Sequence, residues 1–543
     1  MKKFLPIAAA LLVAASAQAA WLPSDTQSLI IAEDPGYEYC LLTELMASDG
    51  RLVYTWLDYD GYYALKMQVI DTDGNRMLGD QGVTIMNQPT KSWTTDYYPV
   101  LTSDNQLIVA FNDTRYDETG WDQYSNLFIY RYDLEGNPVW DADGVQFTMP
   151  TVNEGASCND YMGMVCLSGD NIYVGGIHSE TYTVPATEDN WQPSIYFPDE
   201  PMPETVTLTD TMTELQLLNS DGTFAWNQNL VIESDSYALC PSLDGDVIVL
   251  FQGDNYNLMA QRYNAQGQSV WAEAAEGMPE TLGINYFSMP EYKSDGEGGV
   301  VLVARIPNNY YGYVAMNHIL ANGEDLLHSI PCNGSTDGDG ENAIFALRGQ
   351  EMLVMWEFLD SNYQLNILAN EMSIEGDYLW SGDNMYGVSF GANDMWGFKP
   401  VAVVPQDNGW VLFYGEGMTW STANFWVLKI DNYGDKVWKK QISEDNCEMS
   451  SINVVTSGDY AYVSYIPPYD YDENWNPYYP DGGLCVMKID ISDSSNTTGV
   501  SDMRCGNSEA IYYNLNGLKA SSPLSPGVYI KVSDGKSQKV VIR

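Results

Sequence analysis

A twelve-residue frame recurs along this chain, with glycine at its eighth position and tryptophan at its twelfth. It reads IYRYDLEGNPVW from residue 129, LQLLNSDGTFAW from 215, AQRYNAQGQSVW from 260, ANEMSIEGDYLW from 369 and VLKIDNYGDKVW from 427. With leucine in the last place it returns as MQVIDTDGNRML from 67 and MNHILANGEDLL from 316. Self-similarity of this kind means one supersecondary unit stacked many times. It overrides the several separate domains that 543 residues would otherwise suggest.

The frame glycines are 74, 136, 222, 267, 323, 376 and 434, separated by 62, 86, 45, 56, 53 and 58 residues. Units of that length suit four short strands each. In the second unit YYPVLTSD (97–104), NQLIVAFND (105–113), NLFIYRYDLEG (126–136) and NPVWDADGVQFTM (137–149) read as those strands. Val, Ile, Tyr and Phe fill the runs, and Gly, Asn and Asp punctuate them. No long amphipathic helix interrupts the pattern. A second signal, the turn between first and second strands, occurs eight times: near 48, 103, 168, 243, 295, 348, 406 and 457. The eighth unit lacks a glycine frame and a fourth strand, whereas WLPSDTQSLIIAED, from Trp21, looks like a fourth strand without a unit. The expectation is an all-β, eight-bladed β-propeller, with seven blades as the fallback, closed by the N-terminal strand and followed by a small C-terminal β domain. In this reading the glycine takes a backbone conformation that other residues resist, and the tryptophan fills the space between blades.

The ends of the chain carry address labels. Residues 1–19, MKKFLPIAAALLVAASAQA, have two lysines, an apolar run too short to span a bilayer and an Ala-Gln-Ala cleavage site. The propeller is then expected over 20–495, a Ser/Thr/Asn-rich linker over 496–504 and the C-terminal domain over 505–543. Acidic residues outnumber basic ones by 74 to 24, a formal charge of −50 that disfavours nucleic acid and anionic membranes as partners. The eight cysteines show no zinc-finger spacing. Cys166 and Cys240 fall inside apolar strands, so buried thiols are expected, with one or two disulfides as the alternative.

From Met503 to Arg543 the charge reverses, with six basic residues against two acidic ones. The ordered run YYNLNG, LSPGVYIKV and terminal KVVIR resembles the C-terminal sorting domain of proteins exported by the type IX (Por) system. That resemblance covers about the last 35 residues and departs from the longer version by lacking its first strands. It implies passage across the outer membrane of a Gram-negative bacterium and release or attachment at the cell surface. The repeats are similar to those of a loosely defined group of secreted bacterial propeller proteins. More distantly they resemble the blades of eight-bladed quinoprotein dehydrogenases. The Thr before Gly in that motif and the vicinal cysteine pair are absent, so this likeness implies architecture and no quinone.

Long insertions fall mainly in the loops joining second and third strands, on one face of the ring. They bring Trp121, Trp191, Tyr196, Tyr310, Tyr311, Trp475, Tyr478 and Tyr479, interleaved with acidic residues. Flat aromatic faces beside carboxylates suit a sugar ring or a protein partner, and packing of each loop on its own blade is the plainer alternative. STDGDGEN (335–342) offers Asp337, Asp339 and Glu341 as hard oxygen ligands for Ca2+, without completing a twelve-residue calcium loop. The three histidines, 178, 318 and 328, sit in strands of different units and read as packing or surface residues rather than general bases. No nucleophile elbow, zinc-protease helix or phosphate loop is present. The expected function is a monomeric, exported binding module for glycan or protein ligands. Its alternatives are a polysaccharide-degrading hydrolase or lyase using carboxylates in the central depression, and a purely structural surface protein.

Overall fold

A computed structural model describes Trp21 and the residues from 28 to 492, except 34–40, 60, 87, 89, 91–95, 117–124, 192–200, 254–256, 279–289, 307–312, 331–342, 360–364, 382–386, 395–397, 420–421, 443–446, 449–450, 468–469, 472–476 and 479–482. It also describes three strands near the C-terminus. The leader and the Asp337, Asp339 and Glu341 segment lie outside the described residues.

The ring has eight four-stranded antiparallel blades, one carrying a short extra strand. Blade 1 runs Thr43–Met46, Leu52–Tyr59, Tyr63–Ile70, Val83–Met86. Blade 2 runs Tyr97–Leu101, Leu107–Asp113, Asn126–Tyr132, Val145–Phe147, and blade 3 Ser157–Ser168, Asn171–Pro185, Thr205–Leu218, Leu230–Ile232. Blades 4, 5, 6 and 7 begin at Tyr237, Glu291, Ile344 and Phe398. Blade 8 takes Asn453–Ser457, Tyr460–Tyr465 and Gly483–Asp490 from the chain's far end and its fourth strand, Ser28–Glu33, from the beginning. Ser28 pairs with Met487 and Glu33 with Gly483. All eight turns between first and second strands stand where the sequence places them.

Each blade is apolar on both faces, and the core is therefore divided into eight clusters. Seven join consecutive blades, from Leu65 against Phe128 between blades 1 and 2 to Phe413 against Tyr465 between blades 7 and 8. The eighth packs Leu29, Ile31 and Leu484 of blade 8 against Tyr54 and Trp56 of blade 1. Burial of apolar area in this closed circuit leaves no blade with a free face.

The repeated frame turns the chain from third to fourth strand. Its seven glycines have φ between +72° and +93°, a region costly for any residue with a Cβ. In three of the turns an aspartate locks the bend, Asp71 Oδ1 accepting from the amides of Asp73 and Asn75, Asp133 Oδ1 from those of Glu135 and Asn137, and Asp431 Oδ1 from those of Tyr433 and Asp435. The tryptophan docks on the next blade's turn. The Trp140 indole donates to Ser220 O at 2.9 Å, and a Cβ on Gly222 would stand 3.1 Å from its ring. Trp226 and Trp271 repeat the bond with Ala265 and Ala321, each at 2.9 Å. Trp21 occupies the same place for blade 8, its ring beside Gly74 and its amide donating to Asp73 O at 3.0 Å.

One expectation is corrected. The fourth strand of blade 2 does not run through 137–149. A single bridge joins Tyr132 to Pro138, the chain then leaves the ladder at Trp140, and pairing resumes at Val145–Phe147. Blades 1, 3, 4 and 6 show the same bridge after the turn. The interruption lets the indole swing onto the neighbouring blade. An amide side chain at the frame's second position stands in for the missing ladder. Gln216 Oε1 accepts from Trp226 N at 2.9 Å while its Nε2 donates to Trp226 O at 3.1 Å. Gln68 accepts from Leu78 N at 3.0 Å and Gln261 donates to Trp271 O at 3.5 Å in the same role, whereas in blade 5 the ladder is unbroken and Asn317 Oδ1 accepts from Leu326 N beside it.

Cys166 and Cys240 are free and buried, whereas Cys485 in blade 8 is disulfide-bonded. Beyond the ring, Ile511–Asn514, Gly527–Ser533 and Lys536–Ile542 form a three-stranded antiparallel sheet, in keeping with the small C-terminal β domain. Among the described residues no helix is long and apolar enough to cross a membrane.

Candidate functional site

Blade 3 departs from its neighbours. Its second and third strands are 15 and 14 residues long, against 6 and 6 in blade 4. The lower part of this pair is apolar on both faces. Gly175 and Gly176 mark the limit, where a Cβ would meet Tyr237 of blade 4 on one side and Leu127 and Met149 of blade 2 on the other. Above them the side chains facing blade 2 become polar.

Strand register builds the cluster. Cys158 pairs with Glu180, which pairs with Asp210, and Asp160 pairs with His178, which pairs with Met212. Because side chains alternate across a strand, these residues and Glu214 share the face toward blade 2. His178 is 1% exposed and Glu180 0%. His178 Nδ1 lies 2.6 Å from Asp160 Oδ1, and Nε2 lies 3.1 Å from Glu180 Oε1. Glu180 also accepts from the backbone amides of Val152 and Asn153, at 2.5 and 2.8 Å, and from Asn153 Nδ2 at 2.7 Å. The connector from blade 2 is thereby pinned to blade 3. Glu214 accepts from Asn229 Nδ2 at 2.6 Å, and the same amide reaches Thr148 O.

The charges sort themselves by environment. Burial opposes the His178 cation, yet the hydrogen bonds and charge of Asp160, with Glu180 behind them, raise its pKa. Burial likewise works against the Glu180 anion, but its backbone and side-chain donors together hold the carboxyl below the usual range. Burial dominates at Asp160 and Glu214 and lifts both. The His178 ring is thus held between the Asp160 and Glu180 carboxyl groups. Beside it Cys158 is a free, partly exposed thiol, its sulfur 3.1 Å from Thr151 Oγ1. The Cys158, His178 and Glu180 donor atoms all lie within 4.8 Å of one another.

His178 is therefore a buried packing residue rather than a surface one, held by two carboxyl groups. The signal was present as alternation: Cys158 and Asp160 are two apart, as are His178 and Glu180, so each pair shares a strand face. His318 is simpler, its Nε2 donating to Asp295 Oδ2 at 3.0 Å within blade 5, and it shares that blade with His328, so the histidines do not all fall in different units. Of the aromatic candidates, Trp191 is partly buried, its amide donating to Thr187 O at 3.1 Å in the blade 3 loop. Tyr478 lies in a two-stranded ribbon, Asp470–Tyr471 with Pro477–Tyr478, in the blade 8 loop. Trp121, Tyr196, Tyr310, Tyr311, Trp475 and Tyr479 lie outside the described residues.

No protein-family model and no curated protein matches this chain. Among solved structures it is similar to a puromycin-hydrolysing peptidase of Mycobacterium tuberculosis, at 14% identity and a TM-score of 0.37, covering 83% of this chain and 61% of that one. The chain thus spans under two thirds of the peptidase. It is also similar to the polysaccharide lyase Uly1, at 9% identity and TM-score 0.35 over 73% of this chain and 90% of that one. A third likeness is to the NanB sialidase of Streptococcus pneumoniae, at 10% identity and TM-score 0.32 over 87% of this chain and 71% of that one. Likeness at this level assigns no activity.

Proposed function

We propose that this chain is an exported β-propeller, held at or released from the outer surface of a Gram-negative cell, that binds a glycan or protein ligand through its loop-bearing face. The observation that carries this reading is the blade 3 ribbon, whose middle strands continue from the ring to Pro185 and from Thr205. Facing away from the His178 cluster, Ser179, Thr181 and Thr183 pair across it with Thr211, Thr209 and Thr207. Thr181 and Thr209 hydroxyls lie 3.1 Å apart, and Thr183, Thr205, Thr207 and Thr209 are exposed. Such a row repeats a donor–acceptor group about every 7 Å on a rigid backbone, which suits a polyhydroxylated ligand. Among the described residues the outer edge of Thr205–Met212 has no neighbouring strand, which equally suits a peptide adding to the sheet.

The leader at 1–19 and the tail at 505–543 support export through the type IX machinery, and Asp337, Asp339 and Glu341 remain the proposed Ca2+ ligands. Glycan and protein arrays probed with the full chain, and with a variant whose ribbon is shortened by removing 182–208, test the binding reading. Binding by the full chain that the shortened ribbon loses supports it. No binding by either, or turnover of an array polysaccharide, overturns it.

A further inference from the structure

We propose that Cys158, His178 and Glu180 form a binding site for a zinc-class divalent metal ion on blade 3, with Asp160 orienting the imidazole. The donor set is the first argument. A thiolate, an imidazole and a carboxylate together match a borderline ion such as Zn2+, and neither Ca2+ nor Mg2+ favours sulfur. Geometry is the second. The three donor atoms fall within 4.8 Å of one another, and tetrahedral zinc with bonds of about 2.0–2.3 Å needs its ligands roughly 3.4–3.8 Å apart. His178 Nε2 and Glu180 Oε1, now 3.1 Å apart, have only to separate by a few tenths of an ångström to admit the ion.

The surroundings supply the rest. Asp160 Oδ1, 2.6 Å from His178 Nδ1, holds the ring so that Nε2 points at Glu180. A carboxylate behind a metal-binding histidine fixes its tautomer in this way. The three ligands sit on two neighbouring strands in fixed register, with Cys158 directly opposite Glu180. Little conformational entropy is lost in assembling them. Cys158 is the partly exposed member, so it provides the way in and leaves a fourth coordination position to solvent. Coordination takes Cys158 as thiolate, His178 through an unprotonated Nε2 and Glu180 as carboxylate, with any protons they carry passing to bulk water. Glu180 also pins the blade 2 connector through Val152 and Asn153, so metal and fold support each other there.

The test uses the full chain, stripped with chelator and titrated with Co2+ and then Zn2+. A single Co2+ should bind with a thiolate-to-cobalt charge-transfer band in the near ultraviolet, and Zn2+ should displace it. Cys158→Ser should abolish the band and weaken Zn2+ binding at least about tenfold. Asp160→Asn should keep the band and weaken binding by about 10–100-fold, as loss of an outer-shell partner does. Zn2+ should also slow alkylation of Cys158 in the unsubstituted chain, a readout independent of how any variant folds. Absence of the band, its persistence in Cys158→Ser, or equal alkylation of Cys158 with and without Zn2+ overturns the assignment.

Discussion

Blades 3 and 4 are neighbours written on almost the same frame, and they differ at one end only. Near the frame turn they match part for part. Gln216 and Gln261 bridge the interrupted fourth strand, and Trp226 and Trp271 each donate to the next blade's turn at 2.9 Å. At the other end the middle strands of blade 4 stop at Gln252 and restart at Leu258. Those of blade 3 carry on past Gly176 into the ionic cluster and the threonine ribbon. An antiparallel pair can be lengthened at its free end without altering register below. One end of each strand therefore holds the ring together, while the other is free to acquire chemistry.

Four experiments break or sharpen that division. The largest effect should come from the scaffold end of blade 4. Trp271, 4% exposed and stacked beside Gly323, should cost about 3–5 kcal/mol in denaturant unfolding when changed to Ala. Cobalt binding per folded molecule should not change; if it fell with Trp271→Ala, the two ends would be coupled.

Next is a control for carboxylate burial itself. Glu44, in the first strand of blade 1, accepts from Tyr54 at 2.6 Å and is pushed up to about 8 by burial, which outweighs its bonds to Tyr54 and Ser464. The native state keeps this proton at pH values where the unfolded chain, with an ordinary pKa of 4.5, has lost it. Stability should fall as pH rises from 5 to 8, by up to about 1.4 kcal/mol per unit, and level off above. Glu44→Gln should flatten that slope, as read by urea midpoints at each pH. Glu180, with several donors, shifts the other way, so burial alone does not define the blade 3 site.

Removing those donors' partner should come third. Glu180→Ala should cost about 2–3 kcal/mol and speed hydrogen exchange at the Val152 and Asn153 amides. Unchanged exchange there would mean that the connector is held by something else. The smallest effect tests the matched halves directly. Gln216→Ala and Gln261→Ala should each cost about 1–2 kcal/mol, and equally. A large inequality in thermal unfolding would show that the frame is not equivalent in the two blades.

Sequence periodicity carried the scaffold. Glycines at fixed offsets with positive φ, the eight first turns and the stray Trp21 all reappear in three dimensions because each is a local backbone requirement. The amide at the frame's second place was equally readable in Gln68, Gln216 and Gln261, but its use depends on an interruption in a different strand. The ionic cluster was hidden for a related reason. Asp160 and His178 come from strands joined by a tight turn, but Glu214 lies beyond a long insertion, and only register makes the three neighbours. The alternation within each pair was visible; its partner across the sheet was not.

The strand that begins the ring also sets its clock. Ser28 shares a hydrogen bond with Tyr465, 437 positions away. Synthesis yields Ser28–Glu33 first and its partner Gly483–Asp490 among the last of the ring, a wait on the order of a minute at common elongation rates. Throughout that interval SLIIAE is an apolar segment with no sheet to join, the kind that pairs with whatever edge it meets. Contacts this remote in sequence form slowly. Refolding from denaturant should therefore finish in a late closing step, and a nascent chain needs its first strand shielded until its last blade exists.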